Sequence, residues 1–531
     1  MKKTFTIRKK YVLIPVCTEC GLSEVAFWVE GKKAYQFAIP VGEDKRPYAF
    51  QFYAPLKLEE YAGKELAVEG DVPESFLEAV MFSDSIPQNA QRRPCIHFAP
   101  NTGWINDPNG LIFHDGLYHM YFQHNPFDTR WQNMCWGHAV SSDLLHWNQL
   151  DTALFPDEDG TIFSGGGLMS EQGSLELPKD AQILFYTCAG GSSVWSDGKP
   201  TVQKVAYTAD GGETYQKKEG CILPEIAPGN RDPKVYWHAQ KQCYFMALYL
   251  EKNDYAIFNS KDLEHWAMTQ RLTLPGAWEC PDLVEVPVEG GGFKWVFWSA
   301  DGFYFVGDFD GSEFKTDGVC HSAYQTLIPY AAQTFWGTER KIIVPWLRTH
   351  NKGKLYTGLM GVPRQLTLVS KDADWVLRQK YIDEYENNRE LMLETESAAD
   401  YAQKQEAAVE VVLEMESACS FDADIYGTVY SYDKESGALV ITGVQERAEF
   451  VIGAAKTLEK EQISGENAQI RTQKIGSDIK KISILSDGEI TEITVDDGLI
   501  ADVYETAVDE KSGRISVKAD GAAKVKIYQS R

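Results

Sequence analysis

The stretch Ser142–Trp147 (SDLLHW) recurs as Lys261–Trp266 (KDLEHW), 119 positions further along the chain. Two related turns, Thr208–Gly212 (TADGG) and Asp308–Ser312 (DFDGS), lie in similar strand–turn–strand settings. A unit of roughly 60 residues carried over roughly 280 residues gives four or five units, and four-stranded sheets repeated in this way form a β-propeller. Chance recurrence of Asp-Gly turns in another all-β domain is the alternative. Because the Asp-Leu-x-x-His-Trp match is long, we predict a propeller.

The segments on either side of the repeats also have the pattern of β-strands. The chain has 531 residues, which suits about three domains. Residues 1–90 alternate in strand fashion, as in Ala26–Val29, and predict an N-terminal accessory β domain of sandwich type. Residues 91–372 form the predicted propeller. Residues 373–531 are predicted as a connecting helix, from the helical spacing of apolar residues in Tyr381–Gln405, followed by a C-terminal β-sandwich.

The charge of the chain narrows the classes of ligand. Acidic residues outnumber basic ones by 77 to 52, which gives a formal net charge of −25. Such a field repels nucleic acid and anionic membrane surfaces, so we expect neither as a partner. Twelve of the 14 tryptophans lie between Trp104 and Trp346, and the flat faces of such rings stack on sugars. A small, neutral sugar is the expected substrate.

The cysteines and the N-terminus bear on the compartment. Ten cysteines are scattered along the chain, which predicts reduced thiols in a cytoplasmic protein. Cys17 and Cys20 form a CxxC pair without the second pair or nearby histidines that a zinc site needs. No secretory signal is expected, since the apolar run after the basic start is short and contains Pro15. The pattern leaves the oligomeric state open.

Three acidic residues stand out by their local context. Asp107 lies in Trp104–Gly110 (WINDPNG), Asp232 in Asn230–Lys234 (NRDPK) and Glu279 in Trp278–Asp282 (WECPD). A residue before proline is disfavoured in the helical region, so these carboxylates should lie on extended segments or turns. Any one of them alone would be read as a plain turn or a surface ion pair. Because the inner strands of a propeller converge on one funnel, three such acids in a Trp-rich zone favour a shared site.

Several motifs resemble glycoside hydrolase family 32, the family of invertases, levanases and inulinases. The matching stretches are Trp104–Gly110, Tyr121–Pro126, Trp136–Ser141, Ile162–Gly165, Arg231–Val235, Trp278–Leu283, Tyr330–Phe335 and Val362–Leu368. They cover roughly residues 95 to 370 in the family's order, and the C-terminal zone resembles the family's β-sandwich more weakly, through Glu489–Val495. The resemblance implies a five-bladed propeller followed by a C-terminal β-sandwich, with residues 1–90 as an additional N-terminal domain.

The resemblance also implies roles for the three carboxylates. Asp107 would attack the anomeric carbon of a terminal β-fructofuranosyl unit, and Glu279 would protonate the leaving oxygen and then deprotonate water. Asp232 would hold fructosyl hydroxyls and favour the oxocarbenium-like transition state. Crowding of the carboxylates would keep Glu279 protonated near neutral pH while Asp107 stays ionised. Arg231 would help to hold Asp232 in its charged form.

Further positions match the family's fructose pocket, and two stretches depart from its pattern. The matching positions are Asn106, Gln123, Trp131, Phe163, Ser164 and Arg231. Ser164–Gly167 reads SGGG where relatives commonly have Ser-Gly-Ser, and Leu327–Tyr330 lacks an acidic residue common before Phe-Tyr-Ala. Neither change touches the three carboxylates, so the implied chemistry stands while linkage and chain-length preference stay open.

The implied function is that of a retaining, exo-acting β-fructofuranosidase on sucrose, short fructo-oligosaccharides or fructan chain ends, with no cofactor and no metal. Fructosyl transfer and hydrolysis of sucrose 6-phosphate are the alternatives within the same chemistry. A non-catalytic carbohydrate-binding propeller would need one of the three carboxylates replaced, and all are present. An inverting propeller enzyme acting on arabinan or xylan is disfavoured by Trp104–Gly110 and Trp278–Asp282.

Overall fold

Strands make up nearly all of the regular structure. The computed structural model describes residues 1–170, 174–371, 374–402, 407–444, 470–506 and 513–530. Within these ranges the α-helices are Glu74–Ala79 and Asp383–Asn388, and the 3-10 helices are Glu59–Tyr61 and Ser174–Glu176. No helix among the residues described is both long and apolar enough to cross a bilayer. The predicted all-β class is confirmed.

Five antiparallel sheets follow one another along the chain as blades I to V. Their innermost strands are Gly103–His114 (I), Thr161–Phe163 with Gly167–Met169 (II), Arg231–His238 (III), Asp282–Pro287 (IV) and Pro329–Thr334 (V). The outer strands are Leu117–Asn125, Cys135–Ser141 and Asn148–Gln149 (I); Gln182–Ala189, Val202–Thr208 and Gln216–Lys217 (II); Cys243–Glu251, Asp254–Ser260 and Ala267–Thr273 (III); Phe293–Trp298, Phe303–Phe309, Phe314–Thr316 and His321–Ser322 (IV); Ile342–Leu347, Leu359–Met360, Arg364–Lys371 and Asp374–Tyr381 (V).

Blade V closes the ring onto blade I. The Trp336 N–H donates to the Leu111 carbonyl at 2.9 Å, and the Phe113 N–H donates to the Trp336 carbonyl at 2.9 Å. The strand Tyr356–Thr357 also pairs in parallel with the start of Gly103–His114. A closed ring leaves no open edge between the first and last blades, which is how propellers avoid unpaired strands. The predicted five-bladed propeller is confirmed.

The repeated turns all lie between the third and fourth strands of a blade. In each turn an aspartate side chain accepts hydrogen bonds from the backbone N–H groups of the residues that follow it. The bonds run to Asp143 from His146 (2.8 Å), to Asp210 from Thr214 (3.0 Å), to Asp262 from His265 (2.8 Å) and to Asp310 from Glu313 (2.8 Å). Aspartate suits such turns because its short side chain replaces missing backbone hydrogen bonds. The repeat seen in the sequence is therefore the blade-turn chemistry.

The helix predicted after the propeller is much shorter than expected. Blade V continues to Tyr381, past the predicted boundary at residue 372, and the helix occupies only Asp383–Asn388. The chain then forms the strands Arg389–Glu396 and Ala398–Ala402, the first of which pairs with Ala523–Ser530. The strand pairing depends on residues more than 100 positions away, which the spacing of apolar residues within Tyr381–Gln405 does not reveal. That spacing on its own predicted a helix. Residues 403–406, at the end of the predicted helical stretch, lie outside the described residues.

Two six-stranded sheets form the C-terminal sandwich. One contains Arg389–Glu396, Ala523–Ser530, Ala408–Met415, Lys481–Asp487, Ile490–Val495 and Ile500–Glu505 in spatial order. The other contains Ala398–Ala402, Arg514–Ala519, Phe421–Ile425, Thr428–Asp433, Ala438–Thr442 and Ile470–Lys474. Buried aliphatic and aromatic side chains from both sheets form a single core between them.

The N-terminal domain shares its core with the propeller. Its four-stranded sheet contains Lys2–Thr6, Glu65–Gly70, Gly21–Val29 and Lys32–Val41, and its three-stranded sheet contains Phe52–Lys57, Tyr11–Val16 and Met81–Ser83. Phe127 and Cys135 of blade I are fully buried in the same cluster, and Phe155 packs against it. A chain that starts near Arg92 would therefore expose these side chains to water.

The prediction that all ten cysteines are reduced is wrong for one pair. Cys17 and Cys20 form a disulfide, with their Cα atoms 5.5 Å apart. The tight turn between them, closed by a 2.9 Å hydrogen bond from the Cys20 N–H to the Cys17 carbonyl, brings the sulfur atoms together. Local turn geometry therefore decided a pairing that was not apparent from CxxC spacing.

A buried ionic network joins the propeller to the C-terminal sandwich. Asp487 accepts hydrogen bonds from the backbone N–H groups of Cys95, Ile96 and His97 at 2.7 to 3.1 Å, and it also contacts the His97 ring. The other ring nitrogen of His97 lies 3.1 Å from Glu492, which also pairs with Arg364. Burial opposes the charge on His97, but the two carboxylates outweigh it and raise the pKa of His97 to about 9.

This network predicts a pH-dependent stability. The pKa of His97 is higher in the folded chain than in the unfolded chain, so protonated His97 contributes to the free energy of unfolding. This contribution is fully present below the unfolded pKa of about 6.5 and is lost as pH rises through about 9. The shift corresponds to a contribution on the order of 3 kcal/mol. We expect the wild type to lose stability between pH 6.5 and 9, and His97→Gln to be less stable at pH 6 with a flatter profile. Unfolding curves in urea over this pH range test it. Identical pH dependence in both proteins would contradict the assignment.

Candidate active site

Local irregularities at the inner strands present the three carboxylates. Pairing between Gly103–His114 and Leu117–Asn125 is interrupted between Ile105 and Pro108, which sets Asp107 in a bulge. A similar interruption between Arg231 and Lys234 contains Asp232, whose φ is +64°. Glu279 has φ +51° and lies just before the inner strand of blade IV. Bulges re-aim side chains and cluster near active sites, and positive φ at non-glycine residues is a strain often found there.

The three carboxylates of blades I, III and IV meet around Cys280. The Cys280 Sγ lies 3.6 Å from Asp107 Oδ2 and 3.5 Å from Asp232 Oδ2, and its N–H donates to Asp232 Oδ2 at 3.0 Å. Glu279 is the residue directly before it. The structure thus brings together residues up to 172 positions apart in sequence, as the propeller model expected.

Asp107 is buried, with 8% of its surface exposed. Ser164 of blade II donates a hydrogen bond to Asp107 Oδ2 at 2.5 Å. Burial raises the pKa of Asp107, the bonds from Ser164 and Asn106 counteract part of that rise, and the charge of Glu279 adds to it. Ser164 and Asn106 therefore favour the ionised form of Asp107, which is the form that can act as a nucleophile.

Asp232 is the carboxylate with the most strongly raised pKa. Burial raises the pKa of Asp232 to about 7; Arg231 lowers it, while the charges of Glu279 and Asp107 raise it. The Asp232 backbone N–H donates to Thr187 Oγ1 of blade II at 3.0 Å, which fixes the bulge. Near neutral pH Asp232 is therefore present in both its protonated and its ionised form.

Glu279 accepts hydrogen bonds from Arg231 and Tyr330. Arg231 Nη2 donates to Glu279 Oε1, while Arg231 Nε is 3.8 Å from Asp232. Tyr330 donates its hydroxyl to Glu279 Oε2 at 2.6 Å. The expectation that Arg231 helps to hold Asp232 charged agrees with its charge, which lowers the pKa of Asp232. The direct hydrogen bond of the guanidinium to Glu279 was not expected from the sequence.

The remaining predicted pocket residues lie on blades I and II. Asn106 accepts a hydrogen bond from Trp104 at 2.8 Å, and Gln123, 2% exposed, donates to the Ile162 carbonyl at 2.9 Å. Phe163 directly precedes Ser164, and its ring lies 5.9 Å from the ring of Trp131 in an edge-on contact. The two rings thus form a wall beside Ser164, and Trp131, 40% exposed, is its outer part.

Sequence reasoning left some site residues without a role. Cys280 and Tyr330 contact the carboxylates directly, and Thr187 accepts a hydrogen bond from the Asp232 backbone N–H. Arg348 stacks on Tyr330, 4.1 Å from its ring centroid, and lies 4.0 Å from Asp301. Tyr330 and Cys280 stood inside recognised motifs, whereas Arg348 and Thr187 carry no motif signal. Among the described residues, no cluster of three or more His, Cys, Asp or Glu side chains is arranged to hold a metal ion.

A family model described as "Glycosyl hydrolases family 32 N-terminal domain" matches residues 97–436, which include all three carboxylates. The chain belongs to glycoside hydrolase family 32. The family resemblance read from the motifs is therefore confirmed.

Curated relatives match a little under half of the chain. A levanase from Bacillus subtilis is 35% identical over 260 residues, which is 44% of this chain and 37% of the levanase. An invertase from Debaryomyces hansenii is 34% identical over 284 residues, 48% of this chain and 52% of the invertase. The chain thus spans about half the length of these relatives or less.

Solved family 32 structures share the fold at low identity. An exo-inulinase from Aspergillus awamori superposes with a TM-score of 0.71 and 21% identity, covering 84% of this chain and 99% of that chain. A fructofuranosidase from Schwanniomyces occidentalis, complexed with fructose, gives a TM-score of 0.67 at 22% identity, covering 84% and 99%. These matches establish the propeller-and-sandwich architecture.

The electrostatics of the site predict a gain of stability on neutralising Asp232. A carboxyl group whose pKa is raised on folding destabilises the folded state only when it is ionised. For Asp232 this cost in folding free energy is absent below the unfolded pKa near 3.9 and is complete above about 7. Asp232→Asn should therefore raise the free energy of unfolding at pH 8, by up to about 4 kcal/mol, and change it little at pH 4.

The matched control is Asp262→Asn, since the pKa of Asp262 in the blade III turn is lowered by its hydrogen bonds from His265. That variant should show no gain at pH 8. Chemical denaturation at pH 4 and pH 8 measures both variants. A loss of stability in Asp232→Asn at pH 8 would contradict the charge assignment.

Proposed function

We propose that this family 32 chain is a retaining, exo-acting β-fructofuranosidase that hydrolyses terminal β-D-fructosyl units of sucrose and short fructo-oligosaccharides. The observation that carries the proposal is the pairing of Asp107, deeply buried and bonded to Ser164, with Glu279, which remains 16% exposed at its side chain. A buried carboxylate below the sugar and a more accessible one beside the leaving group suit double displacement.

In the first step Asp107 acts as the nucleophile. One of its oxygens forms a bond to C2 of the fructosyl unit as the bond from C2 to the leaving oxygen breaks, and Glu279 transfers a proton to that oxygen. Glu279 must therefore be protonated when substrate is bound. Asp232, whose pKa is raised to about 7, is a local group that can supply this proton.

In the second step Glu279 acts as the base. It takes a proton from water, the water oxygen bonds to C2, and the bond from C2 to Asp107 breaks, which restores both carboxyl groups. The hydrogen bonds from Arg231 and Tyr330 hold the two oxygens of Glu279 in place for this step. Two displacements at C2 give net retention.

Asp232 is proposed to bind fructosyl hydroxyls. Its Oδ2 is held by the Cys280 N–H at 3.0 Å, which leaves the other oxygen to accept from a sugar. Negative charge close to C2 also stabilises the positive charge that develops on the ring in the transition state. Cys280, buried between the two aspartates, holds them at a fixed spacing.

The depth of the site supports the proposed exo-acting mode of attack. Asp107 and Asp232 are 8% and 4% exposed, and Ser164, Thr187 and Cys280 close the site beneath and beside them. A sugar in the middle of a chain would need two exits from such a site, whereas a terminal residue needs one. The relatives' names include an invertase, a levanase and exo-inulinases, which agrees with release of terminal fructose.

Substitution of the two proposed reacting residues tests the roles. Asp107→Asn and Glu279→Gln should each lower kcat on sucrose by about 10³-fold or more, because one loses the nucleophile and the other the acid. With an activated leaving group, Glu279→Gln should recover much of its first step, since protonation is then less needed. Steady-state and burst kinetics measure this.

Asp262→Asn and Glu264→Gln, in the exposed blade III turn, are the matched controls and should keep wild-type rates. Near-normal turnover of Asp107→Asn would show that another group is the nucleophile. If Glu279→Gln lowers kcat equally on sucrose and on a substrate with an activated leaving group, Glu279 is not the general acid.

The products test stereochemistry and mode of attack together. We expect β-fructose as the first anomer in early NMR spectra, and fructose alone as the first product from kestose and inulin. kcat/KM per chain end should be highest for sucrose or kestose. Chromatography over a length series, with sucrose 6-phosphate included, measures this. Early α-fructose, or mid-sized oligosaccharides from inulin, would contradict the proposal.

A further inference from the structure

The N-terminal sandwich contacts blade I at the loop that carries Trp131. This loop, residues 126–134, joins the strands Leu117–Asn125 and Cys135–Ser141. Asn133 has φ +50°, and its side chain accepts from the Ala38 N–H at 2.9 Å and donates to the Ala38 carbonyl at 2.8 Å. Ala38 lies on Lys32–Val41, the edge strand of the four-stranded sheet. One amide side chain thus pairs with this edge as a strand would.

Other contacts hold the same loop from both ends. The ring of Phe127 lies 4.2 Å from that of Phe37, within the core of the sandwich. Arg130 donates to the Cys20 carbonyl at 3.2 Å and to Asp128 at 2.7 Å. Trp131 therefore stands between two residues, Arg130 and Asn133, that are each bonded to the N-terminal sandwich.

A second contact joins the N-terminal sandwich to the segment that supports Phe163, the other ring of the pocket wall. Lys33 of the sandwich lies 5.3 Å from the ring of Trp195, in the loop after the second strand of blade II. Ser192 in that loop is 2.7 Å from the Thr161 hydroxyl, two residues before Phe163. The sandwich thus touches the supports of both Trp131 and Phe163, and reaches neither Asp107 nor Glu279 through any described hydrogen bond.

We propose that the N-terminal sandwich is a specificity element, in which Asn133 is a positioning residue that holds Trp131 in the wall of the fructose pocket. The inference rests on the proposed function and deepens it. A wall residue contacts the bound sugar in the ground state and the transition state alike, so its displacement changes substrate affinity more than the rate of bond cleavage. The domain thus acts on KM through Trp131.

The test compares Asn133→Ala in two backgrounds. In the wild-type background we expect KM for sucrose to rise about 10-fold, with kcat within about 3-fold. In a Trp131→Ala background the same change should alter KM less than about 2-fold, because the residue through which Asn133 acts is gone. Asn133→Asp keeps the acceptor for the Ala38 N–H and tolerates positive φ, but its carboxylate cannot donate to the Ala38 carbonyl or to Asn125 Oδ1, so KM should rise as in Asn133→Ala.

Asn259→Ala is the matched control. Asn259 also bonds a backbone carbonyl from a loop, that of Gly311 at 2.6 Å, but on the outer part of blades III and IV. It should leave KM unchanged. An unchanged KM in Asn133→Ala, or an equal rise of KM with and without Trp131, would overturn the proposal. If Asn133→Ala does not fold, Asn133→Asp in both backgrounds answers the same question.

A binding measurement separates this proposal from the function itself. The Kd for D-fructose, measured by calorimetry, requires no turnover, and should rise about 10-fold in Asn133→Ala and not in Asn259→Ala. Wild-type protein that binds fructose but hydrolyses no fructoside would overturn the proposed function and leave the coupling of Asn133 to Trp131 measurable. Hydrolysis with a Kd that Asn133→Ala does not change would overturn only the present inference.

Discussion

Closure of five blades into one ring is the constraint on which the rest of the molecule depends. Hydrogen bonds between Trp336 and the inner strand of blade I join the last blade to the first. Once the ring is closed, the inner strands converge, and a carboxylate on any of them is forced toward the same space. Bulges at Asp107 and Asp232 then turn these side chains into the funnel instead of into the packing between blades. The active site is thus a consequence of topology first and of side-chain chemistry second.

Burial of three carboxylates in one funnel sets the electrostatics. Desolvation and mutual repulsion raise the pKa of Asp107 and Asp232, and the surrounding donors offset only part of this. Arg231 and Tyr330 donate to Glu279, whereas the pKa of Asp232 is raised to about 7. Such an arrangement is costly for stability and useful for moving a proton between a leaving group and water. The buried network around His97 and Glu492, by contrast, is a stabilising one, because every carboxylate in it has donors.

Both flanking sandwiches share apolar clusters with the propeller. Ile490 and Val503 of the C-terminal sandwich pack with Leu347 of blade V, and the buried network around His97 adds charged contacts. The N-terminal sandwich packs on Phe127 and Cys135 of blade I. Its edge strand also bonds Asn133, so it borders the loop of Trp131. These contacts are the proposed route by which a domain without any catalytic motif influences the pocket.

The all-β class, the propeller, the family and the three carboxylates could be predicted from short stretches of sequence. These stretches are the aspartate turns, Trp104–Gly110, Asn230–Lys234 and Trp278–Asp282. These are local signals, and turn chemistry or a pre-proline backbone is encoded within a few residues. The tertiary structure alone decided the partner of Arg231, the contacts of Tyr330, Thr187 and Arg348 with the site, the strand at Arg389–Glu396, and the bond between Asn133 and Ala38. Each of these joins residues that are distant along the chain or follows from the direction of a bulge. Such pairings depend on how whole sheets pack, and no local pattern of residues carries that information.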